Sequence, residues 1–594
     1  MSTYTAPSQD IHFVLNEIAG LGDVASLPGL EDATPDLVEA VVEEAGKLAS
    51  DVLAPLNRSG DIENCHFENG VVRTPKGSKD AYRQFIEGGW NGVPFDPDFG
   101  GQGLPWLVST AVSEIWNSAN MAFSLCPLLT QGTIELLTTH GSEELQTTFL
   151  EKLISGEWNG TMNLTEPQAG TDLARIKSRA VRDGDHYRIS GQKIFITYGE
   201  HDLTDNIIHM VLARLPDAPE GVKGISLFLV PKFLVNADGS LGERNDLKCV
   251  SIEHKLGINA SPTAVMSYGD NDGAIGYLVG AENEGIKCMF TMMNNARLAV
   301  GLEGVAIAER AYQQARDYAL ERVQSRDASS NSPDAVTIIH HPDVKRMLLS
   351  MKSRTEAARA LAYSAAGTLD AANRHPDDAK RASAQALLDL LIPVVKAWST
   401  DIGIDVANTG VQVHGGMGYI EETGAAQHLR DARIASIYEG TNGIQAIDLI
   451  GRKVARENGE TVSTLIADIR RFAPTTTNDD LAAIAERLET ATNALEKATA
   501  WVVETFPTDP NAVLAGANSY LSLLGLTLGG WMMGRTAEIS LNKLEMGQGD
   551  AAFYKAKIIS ARFFADQVLI EAASYHEKIV SGSVSITASD FSVS

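Results

Sequence analysis

The sequence predicts a multidomain α+β fold with an N-terminal helical domain, a central antiparallel β-barrel domain, a helical bundle and an extra C-terminal helical domain. The chain has 594 residues, 44% of them hydrophobic, which is too long for one ordinary core and too apolar for a disordered chain. Helical periodicity dominates both ends, and short β-rich runs fill the middle. The predicted boundaries are 1–34 for an N-terminal segment, then 35–158, 159–285, 286–457 and 458–594 for the four domains.

The first clear helix is predicted to begin in TPDLVEAVVEEAGKLASDVLAP. Thr34 can cap this helix, and Pro35 suits its first position. Apolar residues recur on one face at Leu37, Val41, Ala45, Leu48 and Val52. Helical sequence continues to about residue 155, and the stretch PFDPDFGGQGLPW is expected to interrupt it as an irregular loop.

The hydrophobic period changes between about residues 160 and 285. HYRIS, KIFIT, NIIHMVLARL and GISLFLVP are short β-rich runs separated by Gly, Pro, Asn and Asp, and a turn is expected at Gly191. This pattern predicts a small antiparallel sheet or barrel.

Helical periodicity returns after residue 285. Long segments with short links predict a bundle, and further runs beyond residue 458 predict the extra domain. The polar stretch 324–335 is expected to be an exposed loop. No charge lies between Asp509 and Arg535, but polar residues and glycines in this stretch favour a buried helix over a membrane span. The predicted helical segments lie near 286–325, 341–373 and 377–409, after Thr441, and at 461–472, 478–505, 511–545 and 551–581.

Composition excludes several classes of function. A formal net charge of −27 argues against nucleic acid and against anionic membrane surfaces as partners. The four cysteines lack the spacing of a disulfide framework or a metal site, so reduced and mostly buried thiols are expected. The N-terminal sequence resembles neither a signal nor a transit peptide, and the C-terminal sequence is not SKL. We therefore expect a cytoplasmic bacterial protein without a metal.

Two motifs in the β-rich part are candidates for binding. MNLTEPQAGTDLARI, at 162–176, is a strand-like start followed by a turn rich in hydroxyl and amide groups. Such a turn can present backbone N–H groups to an anion, although an ordinary hairpin turn has the same pattern. In SGQKIFITYG, at 190–199, the period of a strand places Phe195 and Thr197 on one side, which suits a flat and partly polar ring.

Glu439 is the candidate for acid–base chemistry. It stands among apolar residues in RDARIASIYEGTNGIQ, just before a predicted helix. A desolvated carboxylate there would have a raised pKa and could act as a general base. A carboxylate that interacts favourably with the helix dipole is an equally good interpretation of the spacing alone.

Together these stretches resemble the signatures of the acyl-CoA dehydrogenase family, in the family's order and over roughly residues 35–455. The match to the TEP-x-AG-S-D signature has Thr171 where serine is commoner. The residues of several motifs and the extra C-terminal domain most resemble those of one subgroup, the 3-methylmercaptopropionyl-CoA dehydrogenases and broad-range bacterial fatty acyl-CoA dehydrogenases. The residues that match the signature are Thr165, Glu166, Pro167, Ala169, Gly170 and Asp172.

The resemblance implies an FAD site and a neighbouring acyl-CoA site. Phe195 replaces the family's usual tryptophan beside the flavin, and Arg322 and Gln412 are expected to reach the partner subunit's flavin. Further departures from the family's pattern are Asn294 in place of aspartate, the missing FG after Arg322, and His414, which is expected to be structural. The implied FAD contacts are Met162, Leu164, Thr165, Gly170, Thr171, Phe195, Thr197, Arg322, Gln412, Gly415, Gly416 and Thr441. The implied substrate contacts are Thr171, Asn294, Arg297, Tyr438 and Gly440.

The resemblance also implies a reaction. Glu439 would remove the α-proton of an acyl-CoA, and FAD would accept the β-hydride, giving the trans-2-enoyl-CoA. Some relatives carry the base next to the residue aligned with Arg297, where this chain has Ala296. The backbone N–H of Glu439 and a flavin hydroxyl would polarise the thioester.

The expected substrate is 3-methylthiopropanoyl-CoA, in the breakdown of dimethylsulfoniopropionate. The alternative substrates are short-, medium- or long-chain fatty acyl-CoA thioesters of β-oxidation. Electron-transfer flavoprotein is the expected electron acceptor, and a homodimer or dimer of dimers the expected assembly. An acyl-CoA oxidase and a non-catalytic flavin-binding interaction protein are the remaining alternatives.

Overall fold

The computed structural model describes residues 4–329, 331–472 and 478–592. The chain forms two compact units, and each is described by itself. The helical unit comprises Met1–Glu43, Pro105–Glu114 and Val300–Ser594, apart from the undescribed residues, and the β-containing unit comprises Glu44–Leu104 and Ile115–Ala299. The prediction of an α+β fold with an extra set of C-terminal helices is confirmed.

The α-helices occupy both ends of the chain, as the periodicity predicts. They are α1 (Ser8–Phe13), α2 (Leu21–Ala25), α3 (Pro35–Leu48), α4 (Ala54–Glu63), α5 (Ser78–Glu87), α6 (Trp106–His140), α7 (Glu143–Ile154), α8 (Gly285–Glu321), α9 (Pro342–Arg374), α10 (Asp378–His414), α11 (Ala425–Ala432), α12 (Asn442–Asp448), α13 (Glu460–Arg470), α14 (Asp479–Thr505), α15 (Pro510–Ala515), α16 (Ala517–Glu545), α17 (Ala551–Gln567), α18 (Ala572–Ser581) and α19 (Ser583–Thr587).

Most of the strands belong to the β-containing unit. They are β1 (His66–Glu68), β2 (Val71–Arg73), β3 (Trp158–Asn163), β4 (Arg179–Asp183), β5 (His186–Thr197), β6 (Asn206–Arg214), β7 (Ile225–Pro231), β8 (Phe233–Val235), β9 (Leu241–Arg244), β10 (Leu247–Ile252), β11 (Thr263–Tyr268) and β12 (Ala274–Val279), with β13 (Val323–Arg326) and β14 (Ala335–Thr337) in the helical unit.

The main sheet has the strand order β10-β11-β5-β12-β7-β6-β3. Strand β4 pairs with both β5 and β6, so that β4, β5, β12, β7 and β6 close into a ring around apolar side chains such as Ile189, Val211 and Phe228. Most pairs are antiparallel, but β3–β6 and β4–β6 are parallel, which the antiparallel prediction did not include.

Three local predictions need correction. Strand β5 runs through Gly191 without a turn: Gly191 pairs with Tyr268 of β11, with a φ of 141° that residues with a side chain rarely adopt. The stretch predicted as a loop at 324–335 carries the exposed β13–β14 pair on its flanks. Helix α1 precedes the predicted first helix, and Phe13 at its end packs edge-on against Phe553 of α17 at 5.8 Å.

The uncharged stretch before Arg535 forms α15 and α16, separated at Gly516. Most of the first half of α16 is buried. A Cβ at Gly525 or Gly529 would lie 2.5 Å from the ring of Trp398, so these glycines allow α16 to approach α10 closely. Among the described residues, no helix meets the length and hydropathy needed to cross a membrane. All four cysteines are free and buried, as expected.

Candidate active site

The TEP turn, residues 164–172, is fastened to strand β5 by a buried lysine. Lys193 is fully buried, and its Nζ donates to Glu166 Oε1 at 2.8 Å and to the Leu164 carbonyl at 3.1 Å. Glu166 also accepts the backbone N–H of Lys177 at 2.7 Å. Burial raises the pKa of Glu166, but Lys193 and these N–H groups outweigh it, so the pKa lies below its usual value. The turn is therefore held rigidly beside Phe195.

Phe195 is the most unusual residue of this face. Its ring is 59% exposed although it is large and apolar, and its backbone has the left-handed φ of 60°. A register shift in the β5–β11 pairing lies beside it. Ile196 is buried and Thr197 is half-buried, so exposure alternates along the strand. Strained residues that the surroundings hold in place are common at functional sites, and this one presents an open aromatic face.

The other predicted flavin contacts of this unit lie along the same segment. Met162, at the end of β3, is half-buried, as are Leu164 and Thr165. The Thr165 carbonyl accepts the Ile194 N–H at 2.9 Å. Gly170 and Thr171 are exposed at the tip of the turn. The β-containing unit thus brings these residues next to strand β5, where Phe195 and Thr197 lie.

The two predicted substrate contacts on α8 are largely covered by the protein. Arg297 is 7% exposed, with its guanidinium carbon 6.0 Å from the centroid of the Phe290 ring. Asn294 is half-buried. An arginine that packs on an aromatic ring is pre-oriented for an anion or carbonyl.

In the helical unit, the candidate base lies in a tight loop between α11 and α12, here called the base loop (residues 438–442). Glu439 has the left-handed φ of 56°, and Gly440 follows with φ 83°. Thr441 caps α12 by accepting the Ile444 N–H at 3.3 Å. The sequence predicts a desolvated carboxylate, whereas Glu439 is half-buried. A second strained non-glycine residue therefore marks a predicted functional position.

Side chains from two helices hold the base loop. Lys396 on α10 is fully buried, and its Nζ donates to the Gly440 carbonyl and to Asn442 Oδ1, each at 2.9 Å. Gln445 on α12 donates to the Glu439 carbonyl at 3.1 Å. The backbone on both sides of the Glu439–Gly440 peptide is thereby fixed.

The fully buried carboxyl group of this region belongs to Glu303 on α8, not to Glu439. The Tyr438 hydroxyl donates a hydrogen bond to Glu303 Oε2. The pKa of Glu303 is raised to about 8, because burial, aided by the charge of Glu439, outweighs the lowering effects of the Tyr438 hydrogen bond and of Lys396. Tyr438 is a predicted substrate contact, but its hydroxyl group donates its hydrogen bond to a side chain of the protein.

The remaining predicted flavin contacts lie away from the base loop. Gln412, Gly415 and Gly416 are exposed at the C-terminal end of α10, and Arg322 is exposed just after α8. With a rise of about 1.5 Å per residue, Gln412 lies about 24 Å along α10 from Lys396. His414 is buried, with Nδ1 2.7 Å from the Gly410 carbonyl and its ring stacked on Tyr318, which fits the expected structural role.

Sequence reasoning missed the residues that hold these loops. No role was predicted for Lys396 or Glu303 from the sequence, although each is the only charged residue of an apolar run, LLIPVVKAW and LAVGLEGVAIA. A charge in such a run is expected to be buried and paired, which is a usable signal. Lys193 and Glu166 form their pair only through the fold.

The chain belongs to the acyl-CoA dehydrogenase family. Three parts of the sequence match the family's N-terminal, middle and C-terminal domains, at residues 36–157, 161–270 and 283–455. Residues 465–590 match the domain described as acetyl-CoA dehydrogenase C-terminal like. The predicted family and the predicted enzyme class, an oxidoreductase that acts on acyl-CoA, are confirmed.

The chain is similar to individual members of this family in sequence and in fold. The chain is 49% identical to the 3-methylmercaptopropionyl-CoA dehydrogenase of Ruegeria pomeroyi, over 99% of this chain and 100% of that one. It is 35% identical to a butyryl-CoA dehydrogenase of Syntrophomonas wolfei, over 95% of each. Its fold is similar to a Bacillus anthracis acyl-CoA dehydrogenase solved with FAD, with a TM-score of 0.74 and 19% identity over 98% of this chain and 92% of that one.

Proposed function

We propose that this protein is an FAD-dependent dehydrogenase that converts 3-methylthiopropanoyl-CoA to its trans-2-enoyl thioester, with Glu439 as the base. The substrate rests on one observation, the 49% identity along the full length of the Ruegeria pomeroyi relative. The role of Glu439 rests on its strained position in the base loop, which Lys396 and Gln445 hold.

The residues present fit a flavin. Phe195 offers an open ring face for a flat heterocycle, and Thr197 offers a hydroxyl on the same strand. Apart from the neighbouring residues in the chain, no atom of the described residues lies within 4 Å of where a Cβ would stand at Gly170, Gly415 or Gly416, so the backbone there is open to a ligand. Bound FAD would supply the acceptor for the hydride that leaves the β-carbon. The other predicted contacts, including Met162 and Arg322, are part of the same proposal.

Glu439 performs the proton transfer. Its carboxylate takes the proton from the carbon next to the thioester, and its backbone N–H helps to polarise the thioester oxygen. The Glu439 backbone is fixed before substrate binds, because the Gly440 carbonyl is tied to Lys396. A fixed base loses less entropy on reaching the reactive geometry.

A homodimer, or a dimer of dimers, is the proposed assembly. Gln412 lies about 24 Å along α10 from the lysine that holds the base loop, and Gly415 follows the end of this helix, which suits contacts to the flavin of the partner subunit. Electron-transfer flavoprotein is the proposed acceptor of the electrons, and the cytoplasm the proposed location. Sedimentation of the holoenzyme tests the assembly, since a monomer with full flavin would contradict the shared site.

The first experiment is an anaerobic titration of the purified holoenzyme. Bleaching of flavin absorbance is followed with 3-methylthiopropanoyl-CoA and, in parallel, butanoyl-, octanoyl- and palmitoyl-CoA. We expect 3-methylthiopropanoyl-CoA to give the highest kcat/KM. Preference for butanoyl-CoA would instead favour the second candidate function, a straight-chain dehydrogenase like the Syntrophomonas wolfei relative, which is 35% identical. Bound flavin that no thioester bleaches would contradict the proposal.

The decisive variant is Glu439→Gln, which keeps the shape of the side chain but cannot accept the proton. We expect turnover to fall at least about 100-fold, because general-base catalysis contributes about 10²–10⁴-fold. Flavin content should stay unchanged. Glu489→Gln, an exposed position on α14, is the matched control and should keep wild-type turnover. Wild-type turnover in Glu439→Gln would remove Glu439 from the mechanism.

A further inference from the structure

A buried carboxyl group lies behind the base loop without an evident packing role. Glu303 is fully buried, and its Oε2 accepts the hydrogen bond from the Tyr438 hydroxyl, in the residue directly before Glu439. Its other oxygen, Oε1, has no hydrogen-bond partner within the described parts of the chain. A buried polar atom without a partner costs stability, so an apolar side chain would pack better here. The position of Glu303 therefore points to a role at the loop.

A second buried side chain holds the loop from the opposite helix. Lys396 on α10 binds the Gly440 carbonyl and Asn442 Oδ1. Asn442 in turn donates to Asp401 Oδ1 of α10 at 2.7 Å. The residue before Glu439 is thus attached to α8, and the residues after it are attached to α10.

The electrostatics of the cluster link Glu303 to Glu439. The charged and titratable groups that face Glu303 are Tyr438 and Glu439 from the base loop and Lys396 from α10. Burial, together with the charge of Glu439, raises the pKa of Glu303 to about 8. Near pH 7, Glu439 therefore faces a mostly uncharged carboxyl group.

We propose that Glu303 and Lys396 are positioning residues for the dehydrogenation, which hold the two sides of Glu439 so that its carboxylate keeps one direction. The proposal rests on the proposed function of Glu439 as the base. Glu439 has a left-handed φ of 56°, which a non-glycine residue keeps only when neighbouring groups stabilise it. The hydrogen bonds of Glu303 and Lys396 stabilise this backbone conformation. Glu303 acts through Tyr438, and Lys396 acts through the Gly440 carbonyl.

The geometry has a consequence for pH. When Glu303 loses its proton, two carboxylates face each other beside Tyr438 and repel. The repulsion disturbs the direction of Glu439, so the rate of substrate oxidation falls as the pH rises through about 8. Below that pH, Glu303 is protonated and the loop keeps its arrangement.

The test measures the rate of anaerobic flavin reduction by saturating 3-methylthiopropanoyl-CoA between pH 6 and pH 9.5, or by whichever thioester the titration selects. Glu303→Gln keeps an oxygen for the Tyr438 hydroxyl but cannot ionise. We expect its rate at pH 7 to stay within about threefold of wild type and the fall near pH 8 to disappear. Glu303→Leu removes the acceptor of the Tyr438 hydrogen bond, so its rate at pH 7 should lie about tenfold below the wild-type rate, without a fall near pH 8 and with KM within about twofold.

Two further variants extend the test. Lys396→Met removes the hold on Gly440, so kcat should fall about tenfold while flavin content stays unchanged. Asp370→Asn is the matched control, because Asp370 is a buried carboxyl of the same unit whose pKa burial raises to about 7. Asp370 accepts the N–H groups of Trp106 and Leu107, so its variant should unfold at a lower temperature but keep the pH profile of the wild type.

Wild-type rates and pH profiles in Glu303→Leu and Lys396→Met, each with full flavin, would overturn the proposal. Persistence of the alkaline fall in Glu303→Gln would also contradict it, and this isosteric variant decides the question if Glu303→Leu does not fold. Wild-type turnover in Glu439→Gln marks failure of the proposed function itself. An inactive Glu439→Gln beside unaffected Glu303 and Lys396 variants marks failure of the positioning roles alone.

Discussion

Two loops of this protein are held by fully buried lysines, but the lysines have different partners. Lys193 holds the TEP turn through a carboxylate, Glu166, and a carbonyl. Lys396 holds the base loop through a carbonyl and an amide oxygen. The contacts of Lys193 include a buried ion pair, whereas the two hydrogen bonds of Lys396 described above go to a backbone carbonyl and a side-chain amide oxygen. Each loop has a neighbouring non-glycine residue with a left-handed φ, Phe195 or Glu439.

The two lysines differ in how burial and their partners affect the stability of the fold. Burial lowers the pKa of Lys193 to about 8, and the charge of Glu166 only partly opposes this. An ion pair of this kind mainly fixes geometry, because desolvation cancels much of its attraction. At the base loop, Lys396 binds the Gly440 carbonyl and Asn442 Oδ1, and it also lies near the Glu303 carboxyl group.

The largest expected effect is the loss of the ion pair. Lys193→Met leaves the buried Glu166 carboxylate without its cation, and we expect the free energy of unfolding to fall by about 3–5 kcal/mol. Denaturant unfolding of the holoenzyme measures this change in the free energy of unfolding. The double variant Lys193→Met, Glu166→Gln should recover at least half of the loss, because no buried charge remains. A double variant as unstable as the single one would show that the ion pair is not the cause.

A smaller loss of stability is expected at the base loop. Lys396→Met removes the hydrogen bonds to the Gly440 carbonyl and to Asn442 Oδ1. We expect the free energy of unfolding to fall by about 2 kcal/mol, less than for Lys193→Met. The same denaturant series compares the two variants. An equal or larger loss at Lys396 would contradict the distinction between the two loops.

The smallest effect tests the backbone of the base loop. Gly440→Ala puts a side chain at φ 83°, with its Cβ 2.8 Å from Nε2 of Gln445. We expect a loss of about 1–2 kcal/mol and a lower kcat, since the Glu439 carbonyl and Gln445 must shift. Gly443→Ala is the matched control, because its Cβ would meet only Thr441 Oγ1 at 3.8 Å. Equal losses in the two variants would exclude backbone strain as the cause.

Much of the fold could be predicted from local sequence. The long helices α8, α9 and α10 lie close to their predicted ranges, because a 3.6-residue period persists over many turns. The prediction of a turn at Gly191 was wrong, since a glycine can also lie within a strand. The parallel β3–β6 pair was missed because strand pairing joins residues far apart in the sequence.

The candidate site, like the fold, could be predicted from the sequence only in part. The motifs predicted the positions of Phe195 and Glu439, and the family comparison confirms the class of enzyme to which they point. The left-handed backbone at both residues was not visible in the sequence, because both residue types ordinarily avoid it. The roles of these residues in binding and catalysis remain predictions.

By itself, the sequence determined the family, the order of helical and β-rich domains, and the location of a carboxylate just before a helix. Local pattern sufficed, since periodicity, caps and motifs involve residues close in the chain. Only the tertiary structure decided which charges are buried beside that carboxylate. Glu303 meets Tyr438 across 135 residues, and Lys396 meets Gly440 across 44. Such contacts depend on how helices pack, which no local pattern encodes.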